Sequence, residues 1–130
     1  MSSKKNEHLT PLELEIMDVL WKTGSSNVQL VQQSLKRELA YTTVQTMLNI
    51  LHRKKKVERV LKERAYFYQP IVSRGQIVKT TVNDLIERLF GGSAEDLVMS
   101  LVETKKLTPE KLAKLNKIVK EAKEKGDGND

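Results

Sequence analysis

The chain of 130 residues contains no cysteine. This excludes disulfide bonds, thiolate zinc sites and cysteine nucleophiles, and it agrees with a reducing compartment. The sequence also lacks any apolar run of the roughly eighteen residues that a membrane-spanning helix needs. Residues 1–8 contain no apolar segment of the kind that a signal peptide requires. These absences predict a cytoplasmic chain without membrane insertion.

Residue combinations typical of enzymes are missing as well. No histidine pair has the spacing of metal ligands, no glycine-rich loop suits a phosphate, and the sequence brings no serine, histidine and acidic residue together. The acidic residues are scattered among lysines, as on an ordinary solvated surface. The sequence therefore predicts a protein that is not an enzyme and that uses no metal and no cofactor.

The charge of the chain is distributed very unevenly. The formal net charge is +6, and residues 36–64 contain nine basic and three acidic residues. By contrast, residues 1–35 carry a net charge of −1 and residues 65–130 a net charge of +1. A positive field concentrated in one stretch is expected of a protein that binds a polyanion. A lysine-rich face that is merely solvated is the alternative.

Helix-start signals place two helices at the beginning of the chain. Thr10 and Glu13 form a predicted capping box, and the helix that they open ends near Trp21, before a Gly-Ser segment. A second helix is predicted over about residues 27–37, with a short turn after it. Only four residues, 38–41, separate this second helix from the next helix-start signal, as in a helix-turn-helix.

A third helix and a hairpin follow. Thr42 and Gln45 form another predicted cap and reach-back pair, and the apolar positions after them recur every three or four residues. Residues 57–61 and 65–69 then read as two short strands, joined by a charged turn at residues 62–64. This order of elements predicts a winged helix-turn-helix.

The last part of the chain is predicted to be helical, with helices opened by Ser73, Ser93 and Thr108. Their apolar side chains are too many for two thin helices and a tail to bury within one chain, so a second copy is expected to bury them. The predicted dimerisation residues are Val78, Val82, Leu85, Leu89, Leu97, Leu101, Leu112, Leu115 and Val119. Packing against the hairpin within one chain is the alternative.

The predicted fold is therefore mainly α with a small β-hairpin wing, an α+β architecture in two domains. The predicted bounds are a disordered leader at 1–8, a winged-helix DNA-binding domain at 9–72, a helical dimerisation domain at 73–124 and a disordered tail at 125–130.

A winged helix presents the polar face of its third helix to the major groove of DNA. Hydroxyl and amide groups near the start of that helix can read base edges, and here they belong to Thr42, Thr43, Gln45, Thr46 and Asn49. Cations further along the helix and in the hairpin suit phosphates. The predicted phosphate contacts are Arg53, Lys54, Lys55, Lys56, Arg59, Lys62 and Arg64. Simple helix capping is the alternative for the threonines and the glutamine.

Three stretches of the sequence resemble the penicillinase-repressor family (BlaI, MecI and CopY type). They are residues 9–21 (LTPLELEIMDVLW), residues 39–48 (LAYTTVQTML) with LHRK at 51–54, and residues 64–68 (RAYFY) leading into PIVSR at 70–74. The resemblance covers residues 9 to about 74, and a weaker similarity of helical pattern continues to about residue 122.

The resemblance implies a winged-helix transcriptional repressor that binds a palindromic operator in double-stranded DNA as a homodimer. By position, it assigns DNA contacts to Tyr41, Thr42, Thr43, Gln45, Thr46 and Arg53. Tyr41 thereby becomes the sixth predicted base-reading residue, with packing against the turn as its alternative. In the β-lactamase branch of the family, a membrane sensor protease triggers cleavage within the dimerisation region. The comparable segment here is 97–102, which implies a scissile bond near Ser100–Leu101.

The sequence departs from the family at two points. The copper-responsive branch carries a C-terminal cysteine motif that this chain lacks, which excludes copper sensing by that route. Many relatives have glycine just after the third helix, where this chain has Lys55, so the end of that helix is expected to differ in shape or to lie further along. The alternative function is a winged helix that docks protein or RNA without any operator.

Overall fold

The computed structural model describes residues 8–129, with side chains described through residue 125. Within this stretch, six helices and one hairpin follow each other: α1 (Pro11–Thr23), α2 (Val28–Ser34), α3 (Tyr41–Arg53), β1 (Val57–Lys62), β2 (Ala65–Pro70), α4 (Arg74–Leu89), α5 (Ala94–Glu103) and α6 (Pro109–Asn129). The predicted mainly α fold with a small hairpin is confirmed. Most of the predicted leader, residues 1–7, lies outside the described residues, as does Asp130.

The chain separates into two compact units, with the division inside α4 between Thr81 and Val82. The first unit holds α1, α2, α3, the hairpin and the start of α4. The second holds the rest of α4 together with α5 and α6. The domain boundary expected between residues 72 and 73 stays a prediction.

The first unit has a hydrophobic core of its own, built where α1, α2, α3 and the hairpin meet. Its buried apolar side chains are Ile16, Met17, Leu20, Val28, Val31, Val44, Leu48, Leu51, Val57 and Tyr68. Burying each such side chain stabilises the fold by about 1.5–3 kcal/mol. Because α3 buries only the Val44–Leu48–Leu51 side of its surface, the opposite side is left to solvent.

The start of α1 confirms the predicted capping box. The Glu13 amide donates to Thr10 Oγ1 at 3.1 Å, and the Thr10 amide donates to Glu13 Oε1 at 2.7 Å. By contrast, α2 is shorter than predicted and ends at Ser34. Leu35 adopts an extended conformation instead, and its side chain packs against the core, so the chain must leave the helix there.

The start of α3 differs from the sequence-based expectation. The helix begins at Tyr41 with Ala40 as N-cap, and no side chain caps it. The predicted cap at Thr42 is therefore wrong. Thr42 and Gln45 lie inside the helix and are exposed, because the burial of Val44 in the core fixes which residues face solvent.

The end of α3 keeps the backbone shape that glycine would give. Lys55 has a φ of 62°, in the left-handed region. The Lys55 amide donates to the His52 carbonyl at 3.1 Å and the Lys56 amide to the Leu51 carbonyl at 3.0 Å, which are the two bonds of a Schellman motif. The expectation of a different or longer helix end is therefore wrong. Lysine adopts this conformation at a cost of about 1–2 kcal/mol.

The hairpin turn is tighter than predicted. Lys62 pairs with Ala65 at the end of the ladder, which leaves a two-residue turn of Glu63 and Arg64. Both have positive φ, 49° and 73°, as a type I′ turn requires. Strand β1 is one residue longer than expected because this turn matches the twist of the strands and lets pairing continue to Lys62. Strand β2 is one residue longer at the other end of the ladder, where Pro70 lies opposite Val57.

The caps of the later helices follow the sequence. Ser73 and Gln76 form a capping box at α4, and Ser93 and Thr108 accept backbone hydrogen bonds at the starts of α5 and α6. However, α6 runs to Asn129, so the tail expected from residue 125 is helical instead. The Glu, Ala and Lys residues that precede residue 126 have high helix propensity, which favours continuation.

Candidate nucleic-acid interface

The first turns of α3 present a row of exposed polar side chains. Tyr41, Thr42, Thr43, Gln45 and Thr46 are all exposed, and Tyr41 keeps 48% of its surface accessible. Val44 and Leu48 on the other side of the helix are completely buried. The core thus holds α3 with hydroxyl and amide groups directed outward, in the chemistry that base edges can pair with. Five of the six predicted base-reading residues share this surface.

The sixth predicted base-reading residue, Asn49, is engaged within the protein. Its Oδ1 accepts hydrogen bonds from the Tyr68 hydroxyl at 2.9 Å and from Arg59 Nη1 at 3.1 Å. Asn49 is half-buried, and both donors belong to the hairpin. We therefore do not retain Asn49 as a base-reading residue.

Lys54 is engaged as well, and it does not fit the predicted phosphate contact. Its Nζ lies 2.9 and 3.0 Å from the two carboxylate oxygens of Glu13 and donates to the His8 carbonyl at 3.0 Å. The side chains of Lys54 and Glu13 are only 17% and 2% exposed. A buried carboxylate needs a paired cation, so Lys54 serves the fold. No sequence pattern pairs these two residues, which are far apart along the chain.

The remaining predicted phosphate contacts stay near the surface. Arg53, Lys55, Lys62 and Arg64 are exposed, and Lys56 is half-buried. The Lys62 Nζ lies 5.6 Å from the centre of the Phe67 ring. Arg64 occupies the tip of the hairpin turn. These cations form one group at the end of α3 and a second at the hairpin tip.

Arg59 lies on the inner side of the hairpin. Its guanidinium carbon sits 4.3 Å from the centre of the Tyr66 ring, within the range of a cation–π contact. On the opposite side of the ribbon, Gln69 donates a hydrogen bond to Glu58. The hairpin therefore has an inner side, with Arg59 and Tyr68, that contacts α3, and an opposite side that carries Glu58 and Gln69. Tyr66 and Tyr68, which support this arrangement, were not predicted as site residues.

The second unit exposes a large apolar surface, and Val78, in the part of α4 that belongs to the first unit, is exposed as well. Of the nine predicted dimerisation residues, only Leu97 and Leu112 are half-buried, and the other seven are exposed. Three more exposed apolar side chains were not predicted, namely Val98, Met99 and Ile118. Ser100 and Leu101, the predicted scissile pair, lie inside α5.

Within residues 8–129, no helix combines the length and the apolar character needed to cross a bilayer. In the same range, no three His, Asp or Glu side chains gather in a way that could hold a metal ion.

The sequence is similar to known repressors over nearly its whole length. A penicillinase repressor of Staphylococcus aureus is 23% identical over 125 residues, which cover 95% of this chain and 99% of that protein. A penicillinase repressor of Bacillus licheniformis is 27% identical, covering 92% and 95% of the two chains. The transcriptional regulator BlaI of Mycobacterium tuberculosis is 35% identical, covering 76% and 75%.

One similar solved structure is the monomeric form of Bacillus licheniformis BlaI in complex with the blaP half-operator. It is 30% identical in sequence, with a TM-score of 0.46, and the match covers 52% of this chain and 85% of that chain. The family described as penicillinase repressor matches residues 9–121. This match covers both units and all three stretches quoted from the sequence. The chain belongs to the penicillinase repressor family.

Proposed function

We propose that this protein is a transcriptional repressor that binds operator DNA with sequence specificity, through the exposed start of α3 and the cations beside it. The observation that carries the proposal is the outward row of Tyr41, Thr42, Thr43, Gln45 and Thr46, held in place by a buried core on the other side of the helix. Its relatives in sequence are repressors, which supports the same role here. A repressor acts on chromosomal DNA, so we expect this protein in the cytoplasm.

A gel shift at fixed salt concentration tests this proposal. The probes are a duplex selected by the wild-type protein from a randomised library and a random-sequence duplex of equal length. Specific operators are typically bound about 10³-fold or more tightly than random DNA, and we expect a ratio of this order. Equal affinity for both duplexes would contradict the proposal and would favour the alternative of a docking adaptor.

The polar row and the hairpin tip should contribute differently to binding. Gln45→Ala should lower the preference for the selected duplex by about 1–3 kcal/mol, because a bidentate base contact is lost. Lys62→Ala should weaken both duplexes by the same factor and reduce the slope of log K against log salt by about 0.9, because one phosphate contact is lost. Titrations at several salt concentrations measure both quantities. Indistinguishable results from the two variants would show that this assignment of roles is wrong.

We propose further that two copies act together on a palindromic operator. The side chains of α4, α5 and α6 include many exposed apolar groups. A second copy would bury them against an equally apolar surface. A twofold dimer would place two α3 helices about 34–36 Å apart, in successive major grooves. Palindromic half-sites at that spacing should therefore emerge from the selected duplexes.

Relief of repression by cleavage near the Ser100–Leu101 bond is a final part of the proposal. This bond lies in α5, where the Ser100 carbonyl accepts the Thr104 amide at 3.0 Å. A protease needs an opened segment, so α5 must unwind before cleavage. Incubation with the protease domain of the sensor, followed by mass spectrometry, should give fragments that separate at this bond. An intact chain would contradict the proposed cleavage. It would leave the proposal of operator binding unchanged.

A further inference from the structure

We propose that Asn49 is a positioning residue that holds Arg59 between α3 and the hairpin for contact with a DNA phosphate, and that Asn49 itself reads no base. The inference rests on the proposed DNA-binding function. It gives Asn49, a residue of α3, a role in phosphate contact instead of sequence discrimination.

Asn49 is anchored to the rigid part of the first unit through Tyr68. The Tyr68 hydroxyl donates to Asn49 Oδ1 at 2.9 Å, and the Tyr68 side chain is only 2% exposed. The backbone of Tyr68 is fixed in turn by two hydrogen bonds with Ser26, of 2.8 and 2.9 Å. Asn49 Oδ1 is therefore a fixed acceptor, tied to the core and to the segment after α1.

Arg59 is held at two points on this fixed frame. Nη1 donates to Asn49 Oδ1 at 3.1 Å, and the guanidinium stacks on the Tyr66 ring at 4.3 Å. This is the one hydrogen bond of the Arg59 side chain within the described part of the chain. A guanidinium has five N–H donors in a planar fork that matches phosphate oxygens. An arginine already ordered by its neighbours loses less conformational entropy when it binds.

The chemistry of Asn49 argues against base reading. An asparagine that recognises adenine must accept a hydrogen bond through its oxygen and donate one through its nitrogen at the same time. Both lone-pair sites of Asn49 Oδ1 are already taken, by Tyr68 and Arg59. Reading a base would therefore require breaking a contact that joins α3 to the hairpin.

A double-mutant cycle on the full chain tests the inference. Asn49→Ala and Arg59→Ala should each weaken the selected and the random-sequence duplex by the same factor, roughly 3- to 10-fold at about 0.1 M salt, and should reduce the salt slope by up to about 0.9. In the Arg59→Ala background, Asn49→Ala should have no further effect on affinity or slope, because its action passes through the guanidinium. A purely structural role would not produce this dependence on Arg59.

Thr46→Ala is the matched control on the same helix, and it should change the ratio between the two duplexes while leaving the salt slope unchanged. A urea titration shows whether Asn49→Ala is folded in the absence of urea. If it is not, the cycle is repeated with Asn49→Leu, which retains the side-chain volume. The inference is overturned if the Asn49 variant alters the ratio between duplexes at constant slope, if its effect adds fully to that of Arg59→Ala, or if neither variant weakens binding. Loss of preference in the wild-type protein would instead refute the proposed function.

Discussion

Replacing Leu115 and Val119 together by glutamate should convert the protein to a monomer and weaken its binding to a duplex with two half-sites by about 100-fold or more. Both side chains lie on one side of α6, one helical turn apart, and are 46% and 61% exposed. If a second copy covers them, two buried carboxylates would disrupt the interface. Because linked binding modules gain about 10²–10⁴-fold over a single module, separation of the copies removes that gain.

Sedimentation velocity measures the oligomeric state, and titrations with one-half-site and two-half-site duplexes measure the binding. The double variant should bind a single half-site as the wild type does, since the first unit has a core of its own. Lys117→Glu is the matched control, because it changes the net charge by the same two units on the opposite side of α6. A double variant that still sediments as a dimer would show that another surface joins the copies.

The parts of the fold that depend on local signals were predictable from the sequence. The capping box of Thr10 with Glu13 and that of Ser73 with Gln76 are both present in the structure. Such bonds join residues three apart, so the pattern contains all the information needed. The cap expected at Thr42 is wrong because the helix begins earlier, at Tyr41, with Ala40 as an N-cap that has no capping side chain.

The roles of individual polar residues were less predictable, because they depend on contacts between distant parts of the chain. Lys54 and Asn49 looked like surface residues of the third helix, yet their partners lie on α1 and on the hairpin. One signal was present for Glu13, which shares helical spacing with the buried Ile16 and Leu20 and thus faces the core. A carboxylate at such a position requires a buried partner, but the sequence does not name it.

Lys54→Met should destabilise the first unit by about 3–5 kcal/mol, because it leaves the Glu13 carboxylate buried without its cation. Methionine keeps the length of the lysine stem, so the loss reports the ammonium group. Glu13 would retain the Thr10 amide at 2.7 Å but lose both bonds from Lys54 Nζ. Urea unfolding at fixed protein concentration measures the change in the free energy of unfolding.

Arg37→Ala is the control for an ion pair at the surface. Arg37 Nη2 lies 2.6 Å from Glu15 Oε2, but the two side chains are 57% and 34% exposed. Loss of this ion pair should therefore cost no more than about 1 kcal/mol. Glu13→Gln combined with Lys54→Met should recover most of the lost stability, since the uncompensated charge is gone and the capping box can still form.

Because Lys54 is paired with Glu13, the salt slope of DNA binding should be the same for folded Lys54→Met as for the wild type. A reduced slope, with a stability loss no larger than that of Arg37→Ala, would show that Lys54 contacts phosphate after all.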